Sequence, residues 1–160
     1  MSRAYLGIGS NLGDRLAFLQ LALDALGAVP GITVTAVSPV YETDPVGGPI
    51  QDDFLNAVVE IETSLEPHGL LLVAQAAERT ARRVRDQHWG PRTLDVDILL
   101  FDDARLDDPD LTIPHPWMGE RAFVLAPLHD LDAALAPAPG DGWQGVRRVP
   151  DALTIPGRTP

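Results

Sequence analysis

Two aspartates at alternate positions, Asp95 and Asp97, stand in the apolar segment TLDVDIL at positions 93–99. Because side chains alternate between the faces of a strand, a strand here places both carboxylates on one face, roughly 7 Å apart. Carboxylate pairs of this kind can hold Mg²⁺ ions that also bind phosphate oxygens. An ordinary strand with one solvated face gives the same pattern, so the pair indicates a metal site only together with its neighbours.

Five arginines precede this pair within a short stretch, at Arg79, Arg82, Arg83, Arg85 and Arg92. The chain as a whole carries a net charge of −11, so this stretch is a local region of opposite sign. Guanidinium groups match phosphate oxygens in geometry and stay charged. Basic residues also favour helix C-termini, which explains the first three arginines but not Arg85 and Arg92. An arginine cluster followed by an acidic pair is typical of a polyphosphate site.

A histidine between two prolines, His115, adds a third polar group to this half of the chain, and Arg121 follows it. A rigid loop of this kind suits a phosphate contact better than a place in the core. A solvated loop histidine is the alternative. Together with the arginine cluster and the acidic pair, His115 and Arg121 indicate a binding site for the same polyphosphate.

Three aromatic residues lie within the polar segments: Phe54, Trp89 and Phe123. Asn56 follows Phe54 on the same predicted strand. Aromatic faces with one amide can hold and recognise a flat heterocycle. Each ring taken singly is better explained by core packing. Together, next to a phosphate site, they predict a heterocyclic substrate.

The composition excludes several other chemistries. All 12 basic residues are arginine, so a Schiff-base or P-loop lysine is absent, and the lack of cysteine excludes thiolate metal sites and disulfides. The glycine-rich segment 7–13 matches neither the dinucleotide-binding nor the Walker pattern. A net charge of −11 opposes binding to nucleic acid or anionic lipid. With no signal segment or apolar run of membrane-spanning length, we expect a cytoplasmic protein.

The elements that must position these residues can be read from hydrophobic periodicity. We predict strands at 4–9, 32–37, 54–62 and 94–101. One predicted helix begins at Asn11 or Asp14 and ends at Gly27, a second runs from Pro67 to near Arg83, and a short one covers 121–128. The order β-α-β-β-α-β predicts a ferredoxin-like α+β sandwich with both long helices on one face of an antiparallel sheet. The helix beyond the fourth strand would cover part of the other face.

The 160 residues suffice for one domain. We assign residues 1–135 to this domain. Residues 136–160 are rich in Pro, Gly and Ala, and we interpret them as a loosely ordered tail.

Four motifs of the chain resemble those of 6-hydroxymethyl-7,8-dihydropterin pyrophosphokinases, a family of folate biosynthesis. They are GIGSNLG at 7–13, FLNA at 54–57, RVR at 83–85 with WGPRTLDVDI at 89–98, and PH at 114–115 with RAF at 121–123. The family fold is ferredoxin-like, which agrees with the predicted elements. The resemblance implies transfer of a pyrophosphoryl group from ATP to the pterin hydroxymethyl group, with release of AMP.

The resemblance also implies roles on the nucleotide side. Asp95 and Asp97 would bind two Mg²⁺ ions that bridge the triphosphate. Arg83 and Arg92 would neutralise charge while the β-phosphorus is attacked, and both would count as catalytic. The remaining ATP-binding positions that it implies are Gln75, Glu78, Arg85, Ile98, Thr112, His115 and Arg121.

On the pterin side, the resemblance implies that Asn56 recognises the heterocycle edge through its amide. Phe54 and Phe123 would pack near the ring, with Phe123 stacking on it. The remaining pterin-pocket positions that it implies are Thr43, Pro45, Val46 and Trp89, the last closing over the pocket.

Two other functions stay open at this point. A nucleotide-sensing domain without catalysis would need the arginines but has no use for the acidic pair. A nucleic-acid-binding module on the same fold is opposed by the net charge of −11. We therefore expect a monomeric enzyme with small-molecule substrates, ATP and a pterin, that binds neither nucleic acid nor membrane.

Overall fold

A computed structural model describes residues 1–43, 53–84, 93–140 and 142–157, with the backbone alone at 83 and 84. The strands are β1 (Ser2–Ser10), β2 (Ile32–Val37), β3 (Tyr41–Thr43), β4 (Phe54–Thr63), β5 (Asp95–Phe101), β6 (Leu106–Asp108), β7 (Leu111–Ile113) and β8 (Val146–Arg148). The helices are α1 (Arg15–Gly27), α2 (Pro67–Val84) and α3 (Ala122–Leu131), and a 3₁₀ turn covers Met118–Glu120.

The main sheet is antiparallel, and β1 lies between β5 and β4. The other edge of β4 pairs with two strands: β3 pairs with its first half and β2 with its second half. Between these two partners, the backbone N–H of Ser38 donates to the Val58 carbonyl and the Ser38 Oγ accepts from the Val58 N–H, both at 2.9 Å. The predicted ferredoxin-like α+β arrangement is confirmed.

The two faces of the sheet pack against different helices. On one face, α1 and α2 cover a large core that includes Leu6, Ile61 and Ile98. On the other face, a smaller cluster joins Leu128 of α3 to Val58 and to neighbouring strand residues. The prediction that a helix beyond the fourth strand covers part of this second face is confirmed. Because α3 is short, part of that face stays open.

The start of α1 resolves the choice between two capping residues. Asp14 is the N-cap, and its carboxylate accepts a hydrogen bond of 3.1 Å from the Ala17 N–H. Such a bond satisfies one of the backbone donors that a helix N-terminus leaves without a partner. The helix ends at Gly27, as the sequence predicts.

The last part of the chain differs from the loosely ordered tail expected from its composition. Strand β8 pairs with β3, and beyond it the Val149 N–H donates to the Val40 carbonyl at 2.9 Å. Further on, the Gln20 amide exchanges two hydrogen bonds with the backbone of Thr154, at 2.8 and 2.9 Å. The three-residue strand was missed because it is too short to show a period. The domain boundary at residue 136 stays a prediction.

Within the described ranges, the helices are too short or too polar to cross a membrane.

Candidate active site

A cavity of about 820 Å³ opens on the sheet face that α3 covers only in part. Strands β1, β4 and β5 form its floor, and the segment that leads into α3 forms one side. The residues that line it and matter below are Gly7, Gly9, Thr43, Phe54, Asn56, Asp95, Asp97, His115, Arg121, Phe123, Gln144, Gly145 and Val146. Eight of the sequence-predicted site residues, from five separate segments, therefore meet in one place.

The acidic pair stands on the cavity side of β5. The strand's other face carries Val96 and Ile98, each 4% exposed in the helix-side core, so Asp95 and Asp97 share the opposite face as predicted. In the pairing with β1, Asp95 lies across from Gly9 and Asp97 across from Gly7. Since glycine has no side chain, these two positions leave room in front of the carboxylates.

Helix α2 holds the strand that carries the pair. The Val96 N–H donates to Glu78 Oε2 at 3.0 Å, so a carboxylate of the helix is fixed to the β5 backbone between the two aspartates. Gln75 lies nearly one turn earlier on the same helix and is exposed. Ile98 packs in the core and Thr112 is half-buried on β7. Of the implied nucleotide positions, these four lie outside the cavity lining.

His115 is held by its own backbone and by its ring. Its N–H donates to the Leu99 carbonyl at 3.0 Å, and its Nδ1 accepts from the Trp117 N–H at 3.2 Å. Burial lowers the pKa of His115, an effect that Asp97 opposes and Arg121 reinforces. The neutral ring therefore carries its proton on Nε2, which leaves an N–H donor for a ligand.

Arg121 and Phe123 stand together at the start of α3. The guanidinium carbon of Arg121 lies 5.5 Å from the centroid of the Phe123 ring, within the range of a cation–π contact. The contact couples the position of the positive charge to that of the ring. The N-terminal end of α3 adds partial positive charge on the same side. This wall of the cavity is suited to anions, and Asp95 and Asp97 line the same cavity.

Asn56 lies in the wall formed by β3 and β4. Its side chain is almost fully buried, and its Nδ2 donates to Thr43 Oγ1 at 2.7 Å. Gly9 is its partner across the β1–β4 pair, and a Cβ at Gly9 would stand 2.6 Å from Asn56 Oδ1. The amide therefore has one fixed orientation, with Phe54 lining the cavity beside it. A buried, oriented amide can recognise the polar edge of a flat ring.

Two contributions to the cavity were missed by sequence reasoning. The glycines at positions 7 and 9 were interpreted as a possible nucleotide motif and as part of a family motif, and neither interpretation includes the space that they leave on the cavity face of β1. Alternate glycines on a central strand were a usable signal, because a strand interior has few other reasons for them. Residues 144–146 also line the cavity, and no pattern in that short segment predicts it.

The remaining predicted positions lie outside the described residues. These are Pro45, Val46, Arg85, Trp89 and Arg92, together with the side chain of Arg83.

The donor set of the cavity fits a hard divalent cation. Within the described segments, no three His, Asp or Glu side chains gather into a closed metal cage. Mg²⁺ usually takes one or two protein carboxylates and completes its shell with water and substrate phosphates. Asp95 and Asp97 are two such carboxylates on one face of β5. The pair thus suits a metal that arrives with a phosphorylated substrate.

Comparisons with known proteins place the chain in a family. The family model described as 7,8-dihydro-6-hydroxymethylpterin-pyrophosphokinase matches residues 5–133. A relative from Methylorubrum extorquens, named 2-amino-4-hydroxy-6-hydroxymethyldihydropteridine pyrophosphokinase, is 49% identical over 93% of this chain and 92% of its own. A protein of the same name from Bacillus subtilis is 50% identical over 80% of this chain and 77% of its own.

Solved structures support the fold. The chain superposes on a wild-type Plasmodium falciparum HPPK-DHPS crystal structure with pterin and p-hydroxybenzoate, with a TM-score of 0.64 and 18% identity over 81% of this chain. It spans only 39% of that longer protein. The relatives and the family model identify the family of the chain from its sequence, and the similarity to the solved structure agrees with the fold. This chain belongs to the 7,8-dihydro-6-hydroxymethylpterin-pyrophosphokinase family.

Proposed function

We propose that this chain is a pyrophosphokinase that transfers the terminal pyrophosphoryl group of ATP to the hydroxymethyl group of 6-hydroxymethyl-7,8-dihydropterin. The products are the pterin diphosphate and AMP, and the reaction is a step of folate biosynthesis. Family membership supports this assignment. The observation that carries it in the structure is a single cavity that joins a buried amide to an acidic pair.

The pterin is proposed to bind at the end of the cavity that Asn56 and Thr43 form. The Asn56 Nδ2 already donates to Thr43 Oγ1, which fixes the amide before any ligand enters. Its Oδ1 and second N–H can then meet the donor and acceptor edge of the heterocycle. Phe54 and Phe123 line the same cavity and provide aromatic faces for the ring, with Phe123 stacking on it. Pro45, Val46 and Trp89 complete this pocket in the proposal.

The triphosphate is proposed to lie at the other end, beside β5. Asp95 and Asp97 would hold two Mg²⁺ ions there, since both carboxylates line the cavity on one face of the strand. When bound, these ions supply neutralisation of phosphate charge and polarisation of the pterin hydroxyl. Glu78 holds the β5 backbone between the two aspartates. Fixed carboxylates bring the two substrates together without a large entropic cost at the moment of reaction.

Hydrogen-bond donors that line the same cavity complete the electrostatics. Arg121 is held against the Phe123 ring, and neutral His115 presents Nε2–H, so both can donate to ATP phosphate oxygens. In the proposal, Arg83 and Arg92 stabilise the charge that develops around the β-phosphorus. Gln75, Arg85, Ile98 and Thr112 complete the nucleotide side. We further propose that the enzyme is monomeric and has no nucleic-acid partner.

Product analysis tests the reaction. The full chain is incubated with ATP, Mg²⁺ and 6-hydroxymethyl-7,8-dihydropterin, and the nucleotides and pterins are separated by chromatography. We expect AMP and a pterin diphosphate in equal amounts, and no AMP without the pterin. ADP in place of AMP would mean transfer of the γ-phosphoryl group alone and would overturn the proposal. ATP binding without turnover would instead indicate a nucleotide-sensing domain.

A further inference from the structure

The C-terminal strand contributes directly to the cavity. Gln144, Gly145 and Val146 all line it, although they stand far along the chain from the acidic pair and from the aromatic residues. Val146 pairs with Thr43 across the β3–β8 ladder. Thr43 in turn accepts the 2.7 Å hydrogen bond of Asn56. Only β3 therefore lies between the wall formed by β8 and the Asn56 amide, which is proposed to recognise the pterin.

Arg147 fastens this wall to the strands that carry Thr43 and Asn56. Its Nη2 lies 2.6 Å from Asp53 Oδ2 and 3.2 Å from Glu42 Oε1. Arg15 makes a parallel pair of contacts, to Glu42 Oε2 at 2.9 Å and to the Asp53 carbonyl at 2.7 Å. An exposed ion pair alone adds little stability. Four groups in one network, however, fix the relative positions of β8, β3 and the start of β4.

Arg148 fastens the other side of the same strand. Its Nη2 donates to Asp130 Oδ1 of α3 at 3.0 Å, and its guanidinium lies 5.8 Å from the Tyr41 ring centroid. The Tyr41 hydroxyl donates to the same Asp130 carboxylate. Arg147 and Arg148 thus tie β8 to Glu42 of β3, to Asp53 before β4 and to Asp130 of α3. These partners stand on the Asn56 side of the cavity, whereas Asp95 and Asp97 stand on β5.

We propose that residues 144–146 form an outer wall of the pterin pocket, and that Arg147 is a positioning residue that holds this wall against β3. The inference rests on the proposed function, since it takes the Asn56 end of the cavity as the pterin site. It adds a specificity element from a segment that the family motifs do not include. A purely structural Arg147, which only covers the sheet edge, would lower thermal stability and affect both substrates alike.

Steady-state kinetics of the full chain separate these two roles. For Arg147→Ala we expect KM for the pterin to rise on the order of tenfold, with kcat and KM for ATP within about twofold of wild type. Arg147→Lys keeps one positive donor and should recover part of the loss. Arg3→Ala removes an exposed arginine at the opposite end of β1 and serves as the matched control with unchanged constants. An unchanged pterin KM in Arg147→Ala, or equal rises for both substrates, would overturn the inference.

A second variant covers the case in which Arg147→Ala does not fold. Val146→Trp leaves both arginines in place and adds bulk to the wall itself, so it should raise the pterin KM and leave the ATP KM unchanged.

Hydrogen exchange of the wild type provides an independent measurement. Backbone amides of 144–148 should exchange more slowly with pterin and a non-hydrolysable ATP analogue than with the analogue alone. Equal exchange rates in the two states would contradict the proposal that residues 144–146 contact the pterin. AMP formation by the wild type would in that case still support the proposed reaction.

Discussion

Gly9 and Asn56 face each other across the β1–β4 pair, and the Asn56 Oδ1 occupies the space that a side chain at position 9 would need. A Cβ on Gly9 would stand 2.6 Å from that oxygen, which is shorter than real contacts allow. Gly9→Ala should therefore displace the amide and weaken pterin binding, with ATP binding little changed. Calorimetric titration with each ligand measures both effects.

Gly7 provides the matched control for this substitution. It lies two residues earlier on the same face of β1, but the atom nearest to a Cβ there would belong to the Leu99 side chain, at 3.5 Å, which is an ordinary contact. Gly7→Ala should retain pterin affinity within a few-fold. Equal losses at the two positions would show that added bulk, and not the Asn56 amide, decides binding.

Asn56→Ala removes the amide and leaves the backbone pairing intact. We expect a loss of pterin affinity of roughly 1–3 kcal/mol, because the polar edge of the bound heterocycle would lose its partner in a buried site. ATP affinity should stay near its wild-type value. An equal loss for both ligands, measured by the same calorimetric titrations, would place Asn56 outside the pterin pocket.

Asp95 and Asp97 should matter to turnover more than to folding. Replacing either with Ala should lower the rate of AMP formation by orders of magnitude, on the scale of several kcal/mol in the barrier. The thermal midpoint of the ligand-free variants should hold or rise, because two carboxylates on one strand face repel each other. Activity assays and thermal unfolding of the same preparations decide the point. Near-normal turnover, or loss of activity through unfolding alone, would contradict the metal-binding role.

Glu78 should act through the strand that it holds. Glu78→Leu removes the acceptor of the Val96 N–H and should lower turnover by about tenfold or more, as is typical when groups that orient metal ligands are lost. Glu78→Gln retains an oxygen that can accept from Val96 and should keep most of the activity. If both variants lose activity equally, the charge of Glu78, and not its bond to β5, is what matters.

The network around Glu42 predicts a dependence of stability on pH. Arg15 donates a hydrogen bond that lowers the pKa of Glu42, an effect that burial opposes and Arg147 reinforces. A carboxyl whose pKa is lowered by folding stabilises the folded state at pH values above its unfolded pKa. This contribution is lost as the pH falls through the folded pKa. Glu42→Gln should thus lower the thermal midpoint at about pH 7, and the difference should shrink below about pH 4.5. Glu66→Gln, at an exposed carboxylate, should show no such convergence.

The sequence was sufficient for the parts of the site that depend on strand alternation. Asp95 and Asp97 on one face, with Val96 and Ile98 on the other, follow from a period of two once 94–101 is taken as a strand. The two helices on one face follow from their apolar spacing. These features depend on neighbours along the chain, which a single sequence contains.

Other parts depend on contacts between distant residues. Nothing near Gly9 indicates that Asn56 lies across from it, and nothing near Arg147 indicates Glu42 and Asp53 as partners. A three-residue strand such as β8 has no period of its own, so its position depends on β3. The roles implied by the family motifs stay predictions until variants are measured.

One edge of β4 is divided between two partner strands, β2 and β3. The same strand therefore contributes both to the core and to the pocket. The half paired with β2 contributes Val59 and Ile61 to the helix-covered core, whereas the half paired with β3 contributes Leu55 to that core and Asn56 to the pocket. Ser38 closes the junction by exchanging hydrogen bonds with Val58. The strand that pairs beside the pocket is therefore a different one from the strand that pairs along the second half of β4. Changes in β3 and β8 should act first on the substrate end of the sheet, while the pairing of β2 with β4 stays in place.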